Sequence, residues 1–417
     1  MDGGIETTFA DRAIGLVGVL VILAIAVAMS RNRRAINLRI VASAFALQVA
    51  VAIFVLYSDA GRSLIAAMSA GVGMILGYAN AGINMVFGAA AGDQFGTIFA
   101  IHVLPVIIFF SALMSVLYYL RIMQWVVVGF GGFLRYVIGT NPMESLNAAA
   151  NIFVGQTEAP LTIRPYLSRL TGPQLFAVMV SGLASVAGTV LAAYAAIGID
   201  LEFLLAASFM AAPGGLLMAK LIMPDDPADA PEEDQSLMAI TKEKSGHANV
   251  FLAAAAGTTD GLKLALNIGA MLIAFIGLIA LFNGLLSGVG EWFGLADLTL
   301  QKILGWVFAP LMFLLSIPWA EAQTAGAVFG EKIILNEFVA FISLVQQAEL
   351  LSPRSLALVT FALCGFANLS SIAILLGGLG SLVPERMGEI GRYGLLAVAA
   401  GSLSNLMSAT LAGLIMP

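Results

Sequence analysis

Apolar residues run along this chain in long charge-free stretches: 13–30, 40–58, 98–120, 174–199, 203–219, 264–290, 355–383 and 393–417. Each is near or above the roughly 20 residues that carry a helix through a hydrocarbon core. The ten-residue alternation of polar and apolar positions that marks a barrel strand does not occur. The pattern predicts an all-α polytopic membrane protein with eight transmembrane helices. Three stretches fit less simply. Residues 61–91 are rich in Gly and Ala, 121–140 mix Arg121, Trp125 and Arg135 with apolar residues, and 302–317 are short and hold Pro310. These are expected to be helices lying at the interface or short supports.

Two polar strings interrupt the apolar text: Gly155-Gln156-Thr157-Glu158-Ala159-Pro160 and Asn336-Glu337-Phe338. An ionisable group near mid-bilayer costs about 2.5–3.5 kcal/mol or more, so it faces a cavity or a partner. Each string lies in a segment that opens with proline and glutamate, Pro142-Met143-Glu144 and Pro318-Trp319-Ala320-Glu321. Each segment ends in a polar break, Thr171-Gly172-Pro173 or Ser352-Pro353. The next apolar run then carries Gly182-Leu183-Ala184-Ser185 in one case and Gly365-Phe366-Ala367-Asn368 in the other. Ser185 is followed by Gly188, and Asn368 by Ser371, at the same spacing.

The order is thus repeated over about 80 residues: interfacial helix, polar-tipped re-entrant hairpin (142–170; 318–350), then a broken span (174–199; 355–383). Lys and Arg set the orientation. With Arg31, Arg33 and Arg34 placed inside and the eight spans alternating, fourteen of the 19 basic residues fall on the cytoplasmic side. Arg12, Arg62, Lys302, Lys332 and Arg354 fall outside, and both termini face out. The two hairpins then enter from opposite sides, which makes an inverted repeat. Such repeats place substrate and ion at their interface near mid-membrane. The expected organisation is scaffold helices over 1–120, a first repeat over 121–223, an acidic linker with an interfacial segment over 224–260, a scaffold span over 261–300, and a second repeat over 301–417.

Composition narrows the chemistry. The 417 residues are 60% hydrophobic and 11% charged, with net charge −6, and no basic cluster is interleaved with aromatics, so nucleic acid is excluded as a partner. The acidic residues gather in 224–246 between Pro224, Pro227 and Pro231, a solvated linker rather than a site. A single cysteine, Cys364, excludes an internal disulfide and a cysteine-based zinc cluster. His102 and His247 have no ligand spacing and are expected to be structural. No nucleophile–base string points to an enzyme, and paired opposed hairpins suit a carrier with gates better than a pore.

The polar strings and broken spans hold no Lys or Arg, so an anionic ligand would find no cation. Amides, hydroxyls and carboxylates fit a neutral, hydroxyl-rich molecule such as a sugar joined to a planar base. Asn151 and Ser185, with carbonyls freed by unwound backbone, offer a cage for a hard cation. Satisfaction of helix ends is the alternative for both.

The segments Asn151-Ile152-Phe153-Val154-Gly155-Gln156-Thr157-Glu158-Ala159-Pro160-Leu161, Asn336-Glu337-Phe338-Val339-Ala340 and Gly365-Phe366-Ala367-Asn368-Leu369-Ser370-Ser371-Ile372-Ala373 resemble the signatures of the concentrative nucleoside transporters. The resemblance runs from about residue 12 to the C-terminus and is to the bacterial, sodium-coupled, eight-span type. It implies that Gly155, Gln156, Thr157 and Glu158 meet the nucleobase, that Glu337, Asn368 and Ser371 hold the ribose, and that Val190, Leu262 and Phe366 pack on the nucleoside. It implies a sodium site at Asn151, Val154, Ser185 and Val186, with sodium the coupling ion and no other cofactor. It further implies a homotrimer in membrane lipid and an elevator motion of the hairpin-bearing part against a scaffold. Proton-coupled members depart from Gly-Gln-Thr-Glu-Ala-Pro and from the sodium-site asparagine; this chain departs at neither.

Overall fold

A computed structural model describes residues 9–92, 94, 98–225, 247–292, 294–295 and 297–416. Among the described residues every regular element is helical. Most of the acidic linker lies outside them. The chain opens with α1 (Phe9–Ala28), α2 (Leu38–Leu56) and α3 (Asp59–Phe87). A one-turn α4 (Phe99–His102) leads into α5 (Leu104–Tyr119), and α6 (Ile122–Ile138) follows. The first hairpin is α7 (Pro142–Ala150), an irregular tip, and a 3-10 helix over Ala159–Arg169. The broken span behind it is α8 (Gly172–Ala184) and α9 (Gly188–Ala196); α10 (Leu201–Ile222) closes this half.

A 42-residue helix, α11 (Val250–Glu291), then passes to α12 (Leu300–Leu314). The second hairpin is α13 (Trp319–Ile334) and α14 (Glu337–Gln346). Its broken span is α15 (Pro353–Leu363), α16 (Ser370–Gly377) and the short α17 (Leu379–Leu382), before the final α18 (Met387–Ile415).

Both halves therefore carry the same order of elements. The break expected within 355–383 lies between Leu363 and Ser370. The structure differs from the hydrophobicity reading in two places. Residues 59–87 form one unbroken helix whose length and apolarity suffice for a crossing, so those two properties do not separate it from the spans. The span expected at 264–290 begins earlier, at Val250, inside the segment assigned to the linker. Among the described residues, eight helices have the length and apolarity to cross a membrane. The bend between α12 and α13 is 118°. It is built at Leu315–Pro318, where Ser316 takes a positive φ of 68°.

Local sequence explains how the hairpins are pinned. Asn141 and Glu144 form a reciprocal capping box at the start of α7: Met143 N donates to Asn141 Oδ1 and Asn141 N to Glu144 Oε2. The other oxygen of Glu144 accepts from Lys220 Nζ at 2.5 Å, and Lys220 also reaches Asp225 at 2.7 Å. Glu321 plays the equivalent part in the second half, accepting from the Ser352 amide at 3.1 Å and its hydroxyl at 3.0 Å. The glutamates at the hairpin bases thus tie each hairpin to the element beyond it. The two hairpins, the broken spans, α10 and α18 form the buried mass of the molecule. In contrast, α3 and α11 leave most of their apolar surface exposed, including Met85, Ile273 and Phe282.

Candidate functional site

The chain meets at two helix breaks. After Ala184 the backbone turns extended at Ser185 and re-enters helix at Gly188. After Leu363 it runs irregularly through Cys364–Leu369. Each break docks on its own hairpin through one main-chain bond: Gly188 N donates to Phe153 O at 3.1 Å, and Leu369 N to Ile333 O at 3.0 Å. The breaks are also joined to each other, Phe366 N donating to Ser185 O at 3.1 Å. Irregular backbone at this depth is tolerated because its polar groups find partners in protein.

The hairpin tips supply the side chains. Asn336 caps α14 by accepting from Val339 N at 2.9 Å, which places Glu337 at the first helical position. The positive end of a helix favours a carboxylate there. Glu337 Oε1 accepts from the Tyr194 hydroxyl at 3.0 Å and Oε2 from Asn368 Nδ2 at 3.1 Å. Asn368 Oδ1 accepts from Ser371 N at 2.8 Å and Ser370 Oγ at 2.7 Å. Ser371 Oγ in turn accepts from Gln156 Nε2 of the first hairpin at 3.4 Å. One line of hydrogen bonds therefore runs from the first tip to the second. Gln156 Oε1 is buried and has no partner in the fold, so a polar atom is held ready beside that line.

Glu158 stands at the other side of the first tip. It lines a cavity of about 430 Å³ with Val154, Gly155, Thr189, Tyr118, Asp260 and His247, among others. Glu337, Asn368 and Ser371 do not line this cavity; Gln156 and Ser371 bridge the interval. Thr157 instead packs against Gly378 between α16 and α17. Val190 is buried on α9 one turn before Tyr194, and Phe366 is half-buried.

Leu262 does not line this cavity. It is 45% exposed, whereas Asp260 and Leu264 of the same helix line the cavity. Two residues of helix turn the side chain through about 200°, so Leu262 and Leu264 cannot share a face.

The proposed ion ligands do converge. Asn151 Nδ2 is satisfied by Asn147 O at 2.9 Å, which leaves Oδ1 buried and unpartnered. That oxygen lies by the last turn of α8, 3.7 Å from where a β-carbon on Gly182 would stand. Val154, Ser185 and Val186 are all buried around the same break. A hard cation takes oxygen ligands, and an orphaned amide oxygen next to unwound backbone fits sodium.

Several contributors escaped the sequence reading. Tyr194, Asn405, Thr189 and Asp260 lie outside the recognised strings. Lys332, grouped by orientation with outer cations, is fully buried and donates to Asn405 Oδ1 and Ala362 O, each at 2.7 Å. A tyrosine inside Leu191–Ile197 and an asparagine inside the last apolar run were the available signals. His102 Nδ1 accepts from Ile98 N at 2.9 Å and its Nε2 lies 3.2 Å from Ala91 O, whereas His247 lines the cavity.

Comparison with known proteins identifies the family. Profiles described as "Na+ dependent nucleoside transporter" N-terminus and C-terminus match residues 17–90 and 203–413, and one described as "Nucleoside recognition" matches 100–200. The nucleoside permease NupC of Helicobacter pylori is 49% identical over 410 residues, 96% of each chain. The mouse sodium/nucleoside cotransporter 1 is 37% identical over 421 residues, 97% of this chain and 64% of its own. Among solved structures, CNTnw in an inward-facing substrate-bound state superposes with TM-score 0.91 at 49% identity, over 97% of each chain. A variant of CNTnw in an intermediate state gives TM-score 0.93 at 48% identity, over 97% of this chain and 98% of that one.

Proposed function

Since the chain belongs to the concentrative, Na+-dependent nucleoside transporter family, we propose that it imports nucleosides by coupling their movement to the sodium gradient. The observation that carries this reading is the hydrogen-bonded line Gln156–Ser371–Asn368–Glu337, which joins the two hairpin tips. A nucleoside can exchange its own groups into that line. Glu337, Asn368 and Ser371 take the ribose: the carboxylate accepts from sugar hydroxyls, and the amide and hydroxyl offer both donors and acceptors. Gln156, Thr157 and Glu158 with Gly155 take the base, for which the free Gln156 Oε1 is one ready acceptor. Val190 and Phe366 supply apolar walls.

Sodium would be held by Asn151 and Ser185 with oxygens of Val154 and Val186. Because these residues form the joint between the first hairpin and its broken span, an ion there stiffens the tip that meets the nucleobase. Coupling then follows from shared structure: each ligand lowers the ordering cost of the other.

The moving body in this reading is the buried mass, both hairpins with the broken spans. It would slide as an elevator against α5 and the exposed helices α3 and α11. The apolar faces of α3 and α11 suit lipid and the contacts of a homotrimer. The protein would sit in the cell's inner (plasma) membrane with both termini outside.

The deciding experiment is uridine uptake into proteoliposomes under an inward sodium gradient or, separately, an inward proton gradient. Sodium-driven, saturable accumulation is expected. Accumulation driven by protons alone would reverse the choice of ion.

A further inference from the structure

Lys332 and Asn151 hold equivalent places in the two repeats. Asn151 stands four residues before Gly155, and Lys332 four before Asn336, the turn residues of their hairpins. Each side chain also lies against the last turn of the broken helix in its own half. Asn151 Oδ1 approaches Gly182 of α8, and Lys332 Nζ donates to Ala362 O of α15 at 2.7 Å.

Their chemistry is opposite. The first repeat presents a buried oxygen with no partner. The second presents an ammonium group surrounded by oxygens, its further acceptor being Asn405 Oδ1 at 2.7 Å. The amide nitrogen of Asn405 donates to Ala184 O at 2.6 Å and to Cys364 O at 2.8 Å. Those carbonyls terminate α8 and follow α15 directly. The C-terminal ends of both broken helices thus converge on one asparagine with a lysine beside it. Each such end carries roughly half a negative charge, and in a low-dielectric interior a nearby cation stabilises the pair strongly. The approach is close enough that a β-carbon on Gly365 would collide with the Asn405 amide.

We propose that Lys332 is a tethered counterpart of the coupling ion: its ammonium fills, in the second repeat, the place that the first repeat leaves for sodium. The second repeat is then closed to a mobile cation, and one sodium ion accompanies each nucleoside. This rests on the sodium-symport reading above. It also explains why a lysine stands where its desolvation is expensive.

The test compares wild type with Lys332→Asn, which installs in the second repeat the side chain of the first. Sodium dependence of uridine uptake is measured in proteoliposomes, and the charge moved per uridine is measured for wild type. Wild type should follow a hyperbolic sodium curve and move one charge. In Lys332→Asn the half-saturating sodium concentration should rise about tenfold, the change ~1.4 kcal/mol makes in a binding constant, and the curve should turn sigmoid as a second ion becomes necessary. A variant with the unaltered wild-type curve overturns the proposal. So does a wild-type ratio of two charges per uridine, which decides the matter even where Lys332→Asn does not fold. Wild-type uptake that ignores sodium but saturates with uridine marks a different failure, that of the symport reading, and removes the basis of this one.

Discussion

Asn368 donates its amide nitrogen to Glu337 at 3.1 Å and accepts the Ser371 amide at 2.8 Å, so one side chain sets both the Glu337 carboxylate and the start of α16. Glu337 is in turn held by the Tyr194 hydroxyl. Every partner of the Glu337 carboxylate in the fold is a donor, and glutamine would turn an NH2 group against one of them. Hydrogen bonds to a charged acceptor contribute about 1.5–3 kcal/mol each, roughly 10- to 150-fold in binding. Glu337→Gln should therefore abolish measurable uridine uptake in proteoliposomes. Undiminished uptake would remove Glu337 from the ribose site. Tyr194→Phe deletes only a supporting donor and should raise half-saturating uridine by about fivefold, for a loss of ~1 kcal/mol.

Asn151 offers a test that separates ion from substrate. Its Oδ1 has no partner in the fold, while its Nδ2 bonds Asn147 O. Asn151→Ala should raise the sodium concentration for half-maximal uptake by about tenfold or more, for one lost ligand of ~1.4 kcal/mol. At saturating sodium the half-saturating uridine concentration should stay close to that of wild type. An unaltered sodium response would exclude Asn151 from the ion site.

The hairpin order, the broken spans and their tips were legible in the sequence because each demands an unusual local text. A charge in apolar surroundings, a proline next to glutamate at a hairpin base, and a small-residue break all leave marks that survive without coordinates. Tyr194, Asn405 and Lys332 left weaker marks. Their importance comes from partners 143, 221 and 73 residues away, and no local pattern encodes such distances. The break in the second repeat was legible from Gly365 and Asn368, but its bounds, 364–369, are set by tertiary hydrogen bonds to Ser185, Ile333 and Asn405. Leu262 lies off the cavity-lining face for a reason of helical phase: a shift of two positions in an evenly apolar helix leaves hydrophobicity unchanged and reverses the face.

That phase difference is itself measurable. Leu264 lines the cavity, and Leu262 is 45% exposed on another face of α11. Leu264→Ala should raise half-saturating uridine several-fold, since truncating a half-buried leucine forfeits part of the roughly 1.5–3 kcal/mol that full burial is worth. Leu262→Ala should leave it within about twofold, as exposed substitutions fall within roughly 0.5 kcal/mol. The reverse ranking would mean that α11 turns in the transporting state.

The base of the first hairpin gives a prediction about stability rather than transport. Glu144 is fully buried and its Oε1 faces Lys220, itself buried at the end of α10. Its Oε2 accepts from the Asn141 amide in the capping box. Removing one member of such a pair leaves the other charge desolvated, at a cost of about 3–5 kcal/mol. Asp225 lies 2.7 Å from Lys220 and is partly exposed, so it remains as a second carboxylate and offsets part of that loss. Glu144→Gln should therefore lower the melting temperature of the purified protein clearly, and Asp225→Asn should do so less. The double substitution should exceed the sum of the two, because only then is Lys220 left with no carboxylate among the described residues. Strict additivity would show that Lys220 finds its stabilisation elsewhere, and that α7 is anchored by its cap alone.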